Sequence, residues 1–585
     1  MTAADCDSYD CAPNQSGLLG FTLPLTFLHE GHRFPNALEG EEEYVREPLT
    51  YREILMMRVM NTITDKPDWE IKVFNPIIFS KWKDEISQSS QDVSPKMMDF
   101  IITELQWKAK SFEDKNSVTV FGGVIKSDRA IPEELKQALK DGVAPLESVP
   151  EAQKDYHPGS DDKVIDLVHP SLFPIVYGKT RILRDKTLGL DDCIGSIGQG
   201  EILPVPEKPA RNKKEINALQ PYSTNFQWLP CNVALKSGSD STPECQISSY
   251  INNLHPIQHR VLYGVIEKII SHTIPLWNQT LDVDLYYRRI TWDQVEYEEG
   301  DEKPEQGDDE DDEVYWTRYD DWSTARKNVQ PEPGEFKPPQ NSAAKLQDIF
   351  AKSGLQVIVK LANIELTPDK PDYEGGTWHI EGQLNEHIAA TAIYYYDSEN
   401  ITESKLSFRH RPNVEDWNEY GYEQSCHGFM QQIFGFPEST DSNGSTDITQ
   451  DLGSVVCSEG RLLTFPNVLQ HCVSSFSLAD RSKPGHRKIL ALFLVDPHVT
   501  VISTANVPPQ QQEWGLEKEE LVRDMLAGKL PAELQIMVSD EGILHPLMSL
   551  DEAKVFRGKL MKERSMKSSR QNACFETGDF NLCEH

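Results

Sequence analysis

The hydrophobic pattern of the chain changes character after its midpoint. From residue 18 to 295 apolar positions recur at helical spacing: Met97, Met98, Phe100, Ile101, Ile102 and Leu105 share one side of a helix predicted over 96–111, and Val261, Leu262, Val265, Ile266, Ile269 and Ile270 do so over 257–274. Such stripes read as core. Beyond residue 343 short apolar and β-branched runs take over, at 355–366, 388–396, 461–465, 472–477 and 488–495, each bounded by Gly, Pro, Asn or Asp. That texture predicts antiparallel strands closed into a barrel or jelly roll. Helical spacing returns at 517–530 and 551–570, the latter carrying Lys554, Arg557, Lys559, Lys562, Arg564, Lys567 and Arg570 and read as a solvated basic helix.

Between the two halves, residues 296–313 (EYEEGDEKPEQGDDEDDE) hold twelve acids against one lysine, and 329–342 are rich in Pro and Gly. Little here can be buried, so 296–342 is predicted to be a flexible linker; its spacing lacks the ordered Gly and terminal Glu of a calcium loop. The predicted organisation is a disordered terminus (1–17), a mostly helical N-terminal lobe (18–295), the linker, a strand-rich core (343–510) with an insertion at 398–460, and a helical tail (511–585). The fold class is therefore α+β.

Length and charge narrow the function. A chain of 585 residues exceeds one ordinary core. Its net charge of −35 repels phosphate backbones and anionic membranes, which argues against nucleic-acid or membrane partners. The N-terminus has neither a basic start nor an apolar segment, and the run at 489–495 is far short of the roughly 18 residues a membrane span needs. Ten cysteines without one C-x-x-C pair speak against a zinc ribbon or a disulfide framework, and for reduced thiols in a soluble, cytoplasmic protein. The oligomeric state is left open.

Chemistry concentrates in three segments. In GGTWHIEG (375–382), His379 and Glu381 stand two apart, so on a strand both point to one side and can serve one ion. With 16 histidines and 93 acids, chance supplies about 2.5 H-x-D/E triplets, yet this chain has only one, and it follows a Gly-Gly turn among strands. In GRLLTFPNVLQHCV (460–473), a strand and a Phe-Pro turn lead to His471 at the start of another strand. In GHRK (485–488), a cation enters the apolar strand ILALFLV, where an unpaired charge is costly and calls for an anion.

Taken in this order, the three segments resemble the Fe(II)/2-oxoglutarate-dependent oxygenase superfamily. The resemblance implies a double-stranded β-helix (jelly-roll) core, His379, Glu381 and His471 as iron ligands and catalytic centre, Arg487 as the anchor of the cosubstrate's far carboxylate, and Fe(II), 2-oxoglutarate and O2 as cofactors. Glu replaces the commoner Asp, and Ile489 stands where many members have Ser or Thr, which leaves open whether Arg487 or Lys488 is the anchor. The stretches HPSLFPIVYGKTRIL, FQWLPCNVAL, SYINNLHP, GGTWHIEGQLNEHIAATAIYYYDSENIT and RKILALFLVDP are further similar to a largely fungal family of unknown function, some of whose members resemble an oxygenase that closes an aziridine on a valine-like amino acid in specialised metabolism. A small-molecule substrate, such as a free aliphatic amino acid that is hydroxylated or ring-closed, is what this implies. An oxygenase of protein residues and a non-catalytic scaffold are the alternatives. Two His and one Glu also suit a zinc hydrolase, which has no use for a buried carboxylate anchor.

Around the centre, Tyr373 is a candidate cosubstrate contact, and Asn385, Glu386, Tyr394 and Tyr396 are candidate substrate contacts. Arg409 and Arg411 are candidate clamps for a substrate carboxylate, with surface ion pairing as the alternative. His387, His410, His427 and His486 are rival ligands, and the insertion is a candidate lid.

Overall fold

The computed structural model describes residues 17–27, 34–39, 47–89, 92–208, 220–236, 243–282, 287–300, 302–340, 345–414, 420–423, 426–437, 446–518 and 547–578. The predicted disordered terminus and the predicted helix at 517–530 lie outside them, residues 17, 517 and 518 excepted.

The strands that position the site are, in chain order, β1 (Val118–Phe121), β2 (Val124–Ser127), β3 (Val164–Val168), β4 (Cys231–Lys236), β5 (Glu244–Ile247), β6 (Leu355–Leu366), β7 (Asp372–Tyr373), β8 (Ile388–Glu399), β9 (Lys405–His410), β10 (Gln450–Val456), β11 (Leu462–Pro466), β12 (Gln470–Val473), β13 (Phe476–Ser477) and β14 (Gly485–Val495). Nine of them form one antiparallel sheet in the order β1–β2–β11–β8–β14–β6–β4–β5, with β3 also paired to β6. Three more form a small antiparallel sheet, β10–β9–β12, and β7 pairs with β13.

The centre of the large sheet is apolar at nearly every position because both of its faces are covered. Leu490, Leu492 and Leu494 of β14, with Ala390, Ala392 and Tyr394 of β8, pack against Ile266, Ile269 and Ile270 of helix α1 (Arg260–Leu281). The residues between them, Ala491, Phe493, Ile393, Leu463 and Phe465, pack against Leu406, Phe408, Leu452 and Val455 of the small sheet. The Phe408 and Phe465 rings meet across this interior with centroids 5.1 Å apart. Burial on both faces turns the alternating pattern of a one-sided strand into the continuous run seen at 489–495.

Four sequence expectations are corrected here. The N-terminal half is not a separate helical lobe, since β1 to β5 all join the large sheet; their runs of four to six residues are too short to interrupt a helical pattern. The acidic linker contains a helix, Asp312–Ala325, whose first turn is capped by Asp311 (2.9 Å to the Glu313 amide) and whose Asp312 and Glu313 complement the dipole. The segment 398–460 supplies β9 near its start and β10 near its end, so those parts are sheet and not insertion. Finally, the basic C-terminal helix α2 (Leu550–Glu576) is docked: Arg557 binds Asp155 through two bonds of 2.6 and 2.9 Å, and Arg564 binds the fully buried Glu386 at 2.6 Å. Among the described residues no helix is long and apolar enough to cross a membrane.

Candidate metal centre

His471 lies on β12 opposite Phe408 on one side and opposite His379 on the other. The two histidines exchange backbone bonds, His379 N–H to His471 O at 3.2 Å and the reverse at 3.1 Å, which directs both imidazoles to the same side with ring centroids 4.3 Å apart. Two residues on, Glu381 returns to that side, and one carboxylate oxygen stands 3.6 Å from His379 Nε2 and 3.4 Å from His471 Nε2. These gaps are long for direct hydrogen bonds and close to the roughly 3 Å that separates neighbouring ligands, each about 2.1 Å from one ion. His379 Nδ1 is 2.8 Å from the Thr377 carbonyl, so that nitrogen carries the proton and Nε2 keeps its lone pair for the cluster. The three residues form a group able to hold a metal ion.

The electrostatics agree with a preformed cation site. Burial would raise the Glu381 carboxyl, but the two facing imidazoles outweigh it and hold the group well below the usual carboxylate range. Burial pulls both histidines down; at His379 the Glu381 carboxylate and the Thr377 carbonyl reverse the sign, whereas His471, repelled also by His379, stays below the usual value.

Local sequence explains the approach of the two His segments. Gly375 has φ +93°, and a Cβ there would sit 2.8 Å from the Val473 carbonyl oxygen, so only glycine lets the turn press against β12. Gly375→Ala is expected to cost about 1–3 kcal/mol of stability and to weaken metal retention, checked by thermal melting with and without metal.

Two residues that sequence reasoning missed hold the ligands from behind. The Asn467 side chain clasps the Glu381 backbone, accepting from its N–H and donating to its C=O, each at 3.1 Å. From α2, Asn572 donates to the Trp378 carbonyl at 2.7 Å and accepts from the Gln470 side chain at 2.9 Å, thereby joining the two residues that immediately precede the histidines. Asn467 had only its nearness to His471 as a signal, and Asn572 had none. Asn572→Ala should weaken metal affinity about 10- to 100-fold while the circular dichroism spectrum stays unchanged, as measured by chelator competition.

Residues 95–518 match the model of a family described as a protein of unknown function (DUF4246), and residues 18–85 match its companion, the DUF4246 N-terminal domain of unknown function. The chain belongs to this family. No curated protein matches it. Among solved structures the chain is similar to the IDO of Bacillus thuringiensis (9% identity, TM-score 0.16, 24% of this chain and 46% of that one) and to a bsmA homolog from Methylobium petroleophilum PM1 (10%, 0.15, 26% and 46%). It is also similar to an Fe(II)/(alpha)ketoglutarate-dependent dioxygenase, TqaL (10%, 0.20, 65% and 94%). The chain thus spans less than half the length of the first two structures it matches.

The remaining candidates of this DUF4246 chain fall into two groups. Arg487 is 2% exposed, donates to the Ser404 hydroxyl, and has its guanidinium 4.9 Å from the Phe476 ring and 5.6 Å from that of Tyr395. Among the described residues no carboxylate pairs with it, and its Nε is buried without a partner. Tyr373 packs on Phe476 with centroids 5.0 Å apart; burial raises its phenol and the nearby Arg487 charge opposes that. These two belong together. Lys488 faces away, bound to Glu147 at 3.0 Å and Asp397 at 3.2 Å, so it does not share the Arg487 environment.

The structure does not bring the other candidates to the cluster. Tyr394 and Tyr396 point into the core under α1, while Tyr395 takes the inner face. Asn385 is bound to the Ser223 backbone at 2.7 and 2.8 Å, and Glu386 to Trp228 N–H, Gln383 N–H and Arg564. Arg409 stacks on Trp378 (4.6 Å) and pairs with Glu576, and Arg411 donates to the Cys574 carbonyl at 2.8 Å, both along α2. His387 faces Glu39, His410 bonds Gln450, His427 meets Tyr422, and His486 pairs with Asp397, so none of these rivals joins the three ligands.

A second group, His157, Asp166 and His169, also places its donor atoms within 4.8 Å of one another. Its hydrogen bonds do not suit a cation. His169 Nδ1 accepts from the Ser171 N–H at 3.1 Å, so its other nitrogen carries a proton, and Arg557 stands 3.6 Å from the Asp166 carboxylate.

Proposed function

We propose that the chain is a non-haem Fe(II)/2-oxoglutarate-dependent oxygenase on a double-stranded β-helix, acting on a C–H bond of a small molecule. One observation carries the reading: a buried Arg487 without a carboxylate partner, on the sheet that faces a two-histidine, one-glutamate group. Burying an unpaired cation is unfavourable, and a ligand carboxylate is the group that offsets it. His379, Glu381 and His471 would hold iron on one face and leave positions for a keto acid and O2. Iron with these two supplies an oxidant able to take hydrogen from an unactivated C–H bond, and succinate and CO2 are released. The protein's own part is to orient and to exclude water. Arg487 and Tyr373 place the keto acid's far end, Asn467 and Asn572 fix the ligands, and the Nδ1 bond to Thr377 fixes the His379 tautomer. Free aliphatic amino acids are the substrates to try first, since the motif resemblance points to them.

The test is succinate release from 2-oxoglutarate by anaerobically Fe(II)-loaded protein on exposure to O2, with and without free amino acids. Iron-dependent turnover that rises with one amino acid supports the reading. No succinate with iron bound refutes it.

A further inference from the structure

The interior floor carries a second cation that the reading above does not use. Lys360 lies on β6 on the same face as Ile358, which belongs to the core shared by the two sheets, and as Ile364, the register partner of Arg487. Its own partner across the strands is Ala491, and the next position on its face is Ala362, so small side chains leave room beside it. Lys360 and Ile489 remain half-buried although their strands run through the middle of the sheet, which marks this stretch of floor as open to water. Among the described residues, no acid lies within ion-pairing distance of the Lys360 ammonium. Asp166, on the neighbouring strand beside Ala362, gives one oxygen to His157 at 2.8 Å and approaches Arg557 at 3.6 Å. Ile358, on that same face, packs with Leu406 and Phe408 of β9, the strand that pairs with β12 and its His471, so the Lys360 face looks toward the metal centre.

From these positions we infer that Lys360 is a second anion anchor, holding a ligand carboxylate beside the metal centre. Four residues separate Lys360 from the level of Arg487, about 13 Å along the strand. That distance gives each cation its own carboxylate: both ends of one keto diacid, or the cosubstrate's far end at Arg487 and the substrate's acid group at Lys360. The inference rests on the oxygenase reading and narrows it, since under the second arrangement the substrate is itself a carboxylic acid.

The experiment uses the full chain loaded with Mn(II), as wild type, Lys360→Met and Lys360→Arg. Binding of 2-oxoglutarate, of succinate, and of L-valine, L-isoleucine and their amides in the presence of 2-oxoglutarate is measured by calorimetry, and each unliganded variant is melted. Loss of one charge-assisted contact is expected to weaken the responsible carboxylate about 10- to 100-fold in Lys360→Met, with partial recovery in Lys360→Arg. If 2-oxoglutarate or succinate is the one weakened, Lys360 serves the cosubstrate. If 2-oxoglutarate binding is unchanged, and the amino acids lose affinity while their amides never bound, Lys360 serves the substrate. The unliganded Lys360→Met protein should melt close to wild type, because a half-buried ammonium with no ion-pair partner among the described residues is replaced by a side chain of similar length. Carboxylate affinities equal to wild type in Lys360→Met, or no carboxylate bound by wild type, overturn the inference. A wild type that binds 2-oxoglutarate while Lys360→Met matches it for 2-oxoglutarate, succinate and both amino acids sinks the lysine alone; a wild type that fails to bind 2-oxoglutarate sinks the oxygenase reading.

Discussion

Arg487→Met is expected to reduce 2-oxoglutarate affinity about 30- to 1,000-fold while leaving the unliganded protein at least as stable as wild type. The two halves of this expectation share one cause. In the free protein the guanidinium is almost fully buried, with a hydroxyl and two aromatic rings for neighbours and no carboxylate among the described residues. Methionine fills a similar space without charge and removes that penalty. On binding, the same guanidinium supplies the strongest contact available to a carboxylate, and its loss leaves the acid buried without a partner. A keto acid lacking the far carboxylate, such as 2-oxobutyrate, should bind both proteins alike. Calorimetry on the metal-loaded chain and thermal melting of the free chain read these two effects separately. If Arg487→Met instead melts far below wild type and binds 2-oxoglutarate normally, the arginine is a packing element and the reading loses its main support.

His379→Ala should lower metal affinity at least about 100-fold and bring succinate release to background. This ligand is the one whose lone pair is committed by structure, through the Nδ1 contact of 2.8 Å to the Thr377 carbonyl. It is also the most accessible of the three, its side chain being 36% exposed against 15% for Glu381 and 3% for His471. Truncation therefore opens no large core cavity, and the fold should survive. Metal analysis after gel filtration, with the near-ultraviolet dichroism spectrum as the control for folding, makes the measurement. Retention of stoichiometric metal in His379→Ala would move the metal elsewhere, with the His157, Asp166 and His169 group as the place to look despite its hydrogen bonds.

The sequence by itself determined the linear order of the site and the parity within each segment. His379 and Glu381 share a side because a strand repeats every two residues, and the runs at 355–366, 388–396 and 488–495 are strands in the structure because β-branched and apolar residues pack on pleated surfaces. Parity does not say which side is the interior. Adjacent residues such as Arg487 and Lys488 are equivalent in sequence until the register Ile364↔Arg487 turns one inward and leaves the other to Glu147 and Asp397. The three tyrosines on β8 were ambiguous for the same reason, and because both faces of that strand are buried, hydrophobicity gave no hint that Tyr395 takes the inner one. Asn572 reaches Trp378 across 194 positions of chain, and β1 to β5 extend a sheet whose core strands begin more than a hundred residues later. Such pairings arise from which surfaces remain uncovered once the local elements have formed. They are properties of the assembled sheets and helices, and only the tertiary structure decided them.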